Sequence, residues 1–129
     1  MRKILGALIA AFASSAAPFG AALAADAALI REGRAAAKVC QACHDFHHEK
    51  RKFGPHLVQV LGRPVASVAL YPYSAGLKGL GGIWTEDRLA NFVNDPAGYA
   101  PGVAMNFEGF HDMAKARAVV AYLAAQAKQ

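Results

Sequence analysis

The sequence predicts an all-α domain of short helices joined by long, turn-rich loops. Two observations carry this expectation. The segments "DAALIREGRAAAKV" and "WTEDRLANFVNDP", and the stretch opening at Asp112, space apolar residues at helical intervals, and no convincing strand pattern appears. Between them the chain is punctuated by Gly54, Pro55, Gly62, Pro64, Gly76, Pro101 and Gly102, residues that mark turns. No internal repeat is present.

The first two dozen residues stand apart. Arg2 and Lys3 precede the apolar run "ILGALIAAF", and Ala22 to Ala24 offer small residues at a cleavage site, the arrangement of a secretory signal peptide. Processing is expected after Ala24, leaving residues 25–129 as one domain of about 105 residues in the periplasm. An uncleaved membrane anchor is the rival reading, because no charge lies between Ile4 and Ala25. Ser14, Ser15, Pro18 and Gly20 weaken that helix. Losing the two cations Arg2 and Lys3 takes the formal charge from +5 to +3. That excess is too small to argue for nucleic acid, and no basic stripe interleaved with aromatics supports it. It suits brief docking on an acidic partner surface. The "KRK" run at Lys50 to Lys52 is a solvated charge run that such docking could use.

The first helix is expected over Asp26 to Val39, with Asp26 as N-cap and Leu29, Ile30, Ala36, Ala37 and Val39 on its apolar side. Gly33 weakens it, so its use there is to admit a close neighbour. Ser74 can cap a brief helix. Thr85 caps the next, Glu86 and Asp87 favour its first turn, and Pro96 stops it; Leu89, Phe92 and Val93 form its apolar face. "AGYAPGVAMNFEGF" reads as turns. Asp112 opens a last helix to about Ala127, with Met113, Ala116, Val119, Val120 and Leu123 at helical spacing. Gly76, Gly79, Gly81 and Gly82 follow no strand and precede no Lys-Ser/Thr pair, so they form no phosphate loop.

The chemistry concentrates in "VCQACHDF". Cys40 and Cys43 lie one helical turn apart, and His44 follows at once. Two thiols so placed can reach two vinyl groups on one porphyrin edge, with His44 turned beneath the ring to meet iron; this spacing is the known signature of c-type haem attachment. A disulfide or dithiol redox pair is an alternative in an exported chain, but the strand–helix unit of such proteins is missing. Zinc would need four ligands, and His47 and His48 crowd Cys43 too closely for an obvious finger. A second axial ligand is needed opposite His44. Met113 falls in the last helix's apolar pattern; Met105, in the loop "YAPGVAMNF", is the better candidate.

From Gly33 to Leu123 the chain resembles the class I c-type cytochromes, the family of mitochondrial cytochrome c and its bacterial relatives. The matching stretches run in order: "CQACH", "FGPHL", "LGR", "YPYS", "WTEDRLANFVNDP", "YAPGVAMNF" and "AYL". The resemblance implies short helices and loops wrapped around one covalent haem c, with Gly33 at the crossing of the first and last helices near Tyr122 and Leu123. It implies that Pro55 offers its carbonyl to His44 Nδ1, that Met105 donates its thioether, and that His44 and Met105 hold the iron. Tyr73 and Trp84 would bond the haem propionates, Arg63 would help neutralise them, and Leu57 and Phe107 would pack on the ring. The chain departs from the family's pattern at Val103 (usually threonine), Ala104 (usually lysine), Phe92 (often tyrosine) and Ala37 (commonly aromatic). His47, His48, His56 and His111 are expected on the surface.

The resemblance implies a non-catalytic, monomeric carrier of single electrons in a respiratory or photosynthetic chain. Its transient partners would be a membrane quinol-oxidising complex and a terminal oxidase, reaction centre or peroxidase. The alternative is a haem-based ligand-binding or sensor protein in which Met105 is displaceable.

Overall fold

A computed structural model describes residues 19–128; the charged and apolar regions of the expected leader lie outside the described residues. Six helices follow one another there: α1 Phe19–Ala36, α2 Lys38–Gln41, α3 Ala75–Leu80, α4 Glu86–Asn94, α5 Pro96–Tyr99 and α6 Met113–Gln126. Among the described residues the only β pairing is an isolated antiparallel bridge between Pro64 and Ile83.

The caps explain where most helices begin. Ser74 Oγ accepts from Leu77 N, Thr85 Oγ1 from Arg88 N, and Asp112 Oδ1 from Lys115 N, each satisfying a helix donor that has no partner within its own helix. Pro96 does end α4, and it then occupies the first position of α5, with Asp95 accepting from Gly98 N. Part of the loop expected after Asn94 is thus a short helix.

The first helix differs from the expectation. Asp26 is no N-cap: it sits inside α1, because the alanine-rich run on both sides of it has the highest helix propensity. The expected cleavage site therefore lies within α1, with Ala22, Leu23 and Ala24 exposed. At Ala37 the helix tightens; Cys40 N bonds to Ala37 O at 3.0 Å before α2 continues. Leu29 and Val39 are exposed, and the inward side is carried by Gly33 and Ala37, with Ile30 and Ala36 packed against the core.

The core sits between α1, α4 and α6. From α6 come Ala116, Ala118, Val119, Val120, Tyr122 and Leu123, and from α4 Leu89, Ala90 and Phe92, all buried. Phe46, Val60, Trp84 and Ala100 join from loops. Where α1 crosses α6, a Cβ on Gly33 would strike the Ala118 carbonyl and come within 2.9 Å of Tyr122 Cβ. Contact at this distance is below any tolerated packing, so only glycine allows the two backbones to meet.

Beyond α2, Asp45 closes the turn that follows His44: its Oδ1 accepts from His47 N at 2.9 Å and His48 N at 2.8 Å. These two bonds hold its carboxyl below the usual carboxylate range.

Gly33→Ala is expected to cost about 1–3 kcal/mol in guanidinium unfolding. Gly79→Ala, where a Cβ meets nothing within 4 Å, should instead be neutral or gain about 0.5–1 kcal/mol; equal effects at the two positions would contradict a tight crossing. For Asp45 the depressed pKa means a stabilisation that is complete above the unfolded value of about 3.9 and is lost as pH falls through the lower folded value. Asp45→Ala should shrink the acid-induced drop in unfolding midpoint, measured between about pH 5 and about pH 2.5.

Candidate functional site

Cys40, Cys43 and His44 sit on one continuous turn. Cys43 N and His44 N both reach Cys40 O, at 3.1 and 2.9 Å. Cys40 is half-buried against the core, whereas Cys43 is exposed, and the two sulfurs are not joined. Burial pushes the Cys40 thiol up to about 11, with Cys43 beside it adding to the rise. Dithiol oxidoreductases depend on the opposite, a thiolate stabilised near neutral pH. The environment of Cys40 therefore disfavours the thiol–disulfide reading. Among the described residues no three His, Cys, Asp or Glu side chains group to hold a metal ion by themselves.

A single hydrogen bond sets the chemistry of His44. Its Nδ1 lies 2.6 Å from the Pro55 carbonyl oxygen. A carbonyl only accepts, so Nδ1 carries the proton and Nε2 keeps a free lone pair. Burial lowers the His44 pKa, more than the Pro55 bond raises it, with Lys52 lowering it further. The imidazole is neutral at pH 7, as a metal ligand must be. Gly54 makes this approach possible: a Cβ there would fall 2.7 Å from His44 Nδ1. Gly54 N also bonds Cys43 O, and Leu57 N bonds Asp45 O, both at 2.8 Å. Leu57 is half-buried and lines a cavity with Phe46 and Leu123.

Arg63, Tyr73 and Trp84 form a second group. Trp84 N bonds Arg63 O at 2.9 Å, and Gly62 N bonds Trp84 O at 2.8 Å. The Trp84 ring is buried, 5.2 Å from Phe92. The Tyr73 hydroxyl accepts from Val68 N at 3.1 Å, and burial raises its pKa while Arg63 nearby opposes the rise. The Arg63 guanidinium donates to Val58 O and His56 O, each at 3.0 Å. Its Nε is buried with no partner. Burial lowers the Arg63 pKa, and among the described residues it forms no salt bridge. An anion placed at Nε would satisfy both the donor and the charge.

Met105 lies in a loop secured at both ends. Val103 N bonds Ala100 O at 3.0 Å, and the Pro101 carbonyl presses on the Cα of Gly76 in α3 so closely that no Cβ would fit. At the far end Phe110 N and His111 N bond Val93 O and Asn94 O, each at 3.1 Å. Met105 is half-buried against the core, and Phe107 meets Phe110 edge to face at 5.1 Å.

His47, His48 and His111 are exposed, as expected. His56 is not; it is half-buried, because Arg63 draws its ring nitrogen and carbonyl inward. Sequence reasoning also missed Arg88, which donates to Gly81 O and Ile83 O at 2.8 Å and to Tyr99 Oη at 3.2 Å, tying the Trp84 segment to α5. Nothing local marks it. Gly54 had a signal, since it immediately precedes the proline that binds His44.

The arrangement fits haem c: two unpaired thiols on one turn, a neutral imidazole with Nε2 free, and a half-buried guanidinium whose Nε lacks an acceptor that a propionate would supply. No protein-family model matches the chain. A cytochrome c homolog of Rickettsia felis is 49% identical over 78 residues, covering 60% of this chain and 45% of that protein. The chain thus spans about half the length of that relative. Cytochrome c2 iso-2 of Magnetospirillum fulvum is 36% identical over 85 residues, 66% of this chain and 88% of that protein. Among solved structures, cytochrome cH from Methylobacterium extorquens superposes with a TM-score of 0.68 at 34% identity, covering 74% of this chain and 97% of that one. The chain belongs to the class I c-type cytochromes and binds covalent haem c.

Proposed function

We propose that the chain is an exported carrier of single electrons whose iron is held between His44 and Met105. The observation that carries this reading is the 2.6 Å bond from His44 Nδ1 to Pro55 O, which leaves Nε2 as a fixed, neutral donor. Cys40 and Cys43 tether the group from the same turn. Met105, on a loop anchored by α3, α4 and α5, would supply a soft sulfur ligand. Haem c supplies reversible one-electron chemistry when bound, and thioether ligation favours its reduced form. Arg63, with Tyr73 and Trp84 beside it, would neutralise the propionates; Leu57 and Phe107 would shield the ring from water. If His44 and Met105 both ligate the iron, no coordination position is left open for a substrate.

Cys43 is the exposed tether, so electrons would enter and leave on its side. Lys50, Arg51 and Lys52 are exposed on the adjoining loop, with Lys52 Nζ bonded to Gln41 O at 2.5 Å. That basic rim suits brief encounters with an acidic face on a quinol-oxidising complex, terminal oxidase, reaction centre or peroxidase in the periplasm. Among the described residues no helix is long and apolar enough to cross a membrane.

In the wild-type ferric protein, optical spectra should show the weak far-red band of iron–sulfur ligation; high-spin iron or rapid carbon monoxide binding on reduction would instead indicate a sensor. Met105→Ala should keep the haem covalently attached, abolish that band and lower the reduction potential, and an unchanged potential would exclude Met105 as ligand. Gly54→Ala should push the His44 ring off Pro55 and broaden or shift the ferric electron-spin resonance signal without releasing the haem.

A further inference from the structure

His56 has a job that its surface-like sequence context conceals. Arg63 Nη1 lies 3.3 Å from His56 Nδ1. A guanidinium has only donors, so Nδ1 must accept, and His56 is held as the neutral tautomer with its proton on Nε2. The same guanidinium donates to the His56 carbonyl at 3.0 Å. His56 therefore grips Arg63 twice, while Arg63 Nε stays buried and unpartnered on its remaining edge.

We propose that His56 is a positioning residue for Arg63 whose own protonation ties the reduction potential of the chain to pH. The inference rests on the electron-carrier reading above. A proton on Nδ1 would remove the acceptor and set two cations face to face at 3.3 Å. Arg63 must then move, and its hold on the anion expected at Nε changes with it. The charged and titratable groups bearing on the pair are Arg63 itself, Glu49 and Tyr73. Glu49 is exposed and bonds neither residue, and a phenol is neutral below about pH 9.

The sign follows from charge. The oxidised protein carries one more positive charge at its redox centre, so it binds the His56 proton more weakly than the reduced protein does. The potential is therefore highest with that proton bound and falls as rising pH removes it, a change to be sought across about pH 5 to 8. A threefold to tenfold difference in proton affinity corresponds to about 30–60 mV for a one-electron couple.

The test is spectroelectrochemical titration of the haem-loaded protein across that range, for wild type, His56→Asn and His48→Asn. Wild type and His48→Asn should show the fall, and His56→Asn should be flat. In parallel, proton NMR of the His56 ring in wild type should show its proton held three- to tenfold more tightly in the reduced state. A wild-type potential independent of pH, a step retained in His56→Asn, or equal His56 titration in both oxidation states would overturn the proposal. The NMR arm decides alone if the asparagine variant does not fold. A protein with no reversible potential at all would instead sink the carrier reading, so the two failures are separable.

Discussion

Three hydrogen bonds onto backbone carbonyls join residues 43–45 to residues 54–57, and the site depends on them. Gly54 N reaches Cys43 O, His44 Nδ1 reaches Pro55 O, and Leu57 N reaches Asp45 O. They act like rungs of a short ladder between the haem-binding turn and a loop that has no regular structure. Each rung alone is worth about 0.5–1.5 kcal/mol. Together they convert a flexible excursion of charged residues into one wall of the site, and they orient the imidazole as a by-product. A histidine that is to bind metal normally needs a partner on its second nitrogen; for His44 in the role proposed above, Pro55 would be that partner, and it also anchors the loop.

The second constraint is charge burial in a small domain. A chain of this size has little apolar core to spare, and its helices are short outside α1, α4 and α6. Yet Arg63 is drawn inward, and one of its donors is left without an acceptor. Such an arrangement costs stability unless an anion completes it. The cost makes sense if the missing partner belongs to the prosthetic group. It then links folding of the 56–63 loop and the Trp84 segment to occupancy of the same site that His44 serves.

The helix starts at Ser74, Thr85 and Asp112 were legible in the sequence because a cap is a local device: one side chain meets a backbone donor two or three residues on. Asp26 failed by the same logic, since a good cap residue is overridden when alanines continue the helix on both sides. Cys40, Cys43 and His44 were legible because their spacing is itself the chemistry. Phe46, Val60 and Ala100 were not, although all are buried; they lie in loops without periodicity, so nothing local announces that they turn inward. His56 is the sharpest case. Its neighbours in sequence read as an exposed loop, and its half-burial depends on Arg63 arriving from seven residues away to meet both its ring and its carbonyl.

The methionine loop shows how one lost hydroxyl can be absorbed. Phe92 is buried, packed 5.2 Å from Trp84 and 6.2 Å from Tyr99. A tyrosine there would bring a buried hydroxyl needing a partner. Phenylalanine avoids that demand and places its whole ring in the aromatic stack. The loop is then held by its ends, through Ala100 and Pro101 on one side and the carbonyls of Val93 and Asn94 on the other. Those carbonyls belong to the last turn of α4, whose first turns carry Leu89 and Ala90 into the α6 interface. Rigidity at Met105 is thus borrowed from helix packing: a defect in the α4–α6 core would be felt at the sulfur before any residue of the loop itself had changed.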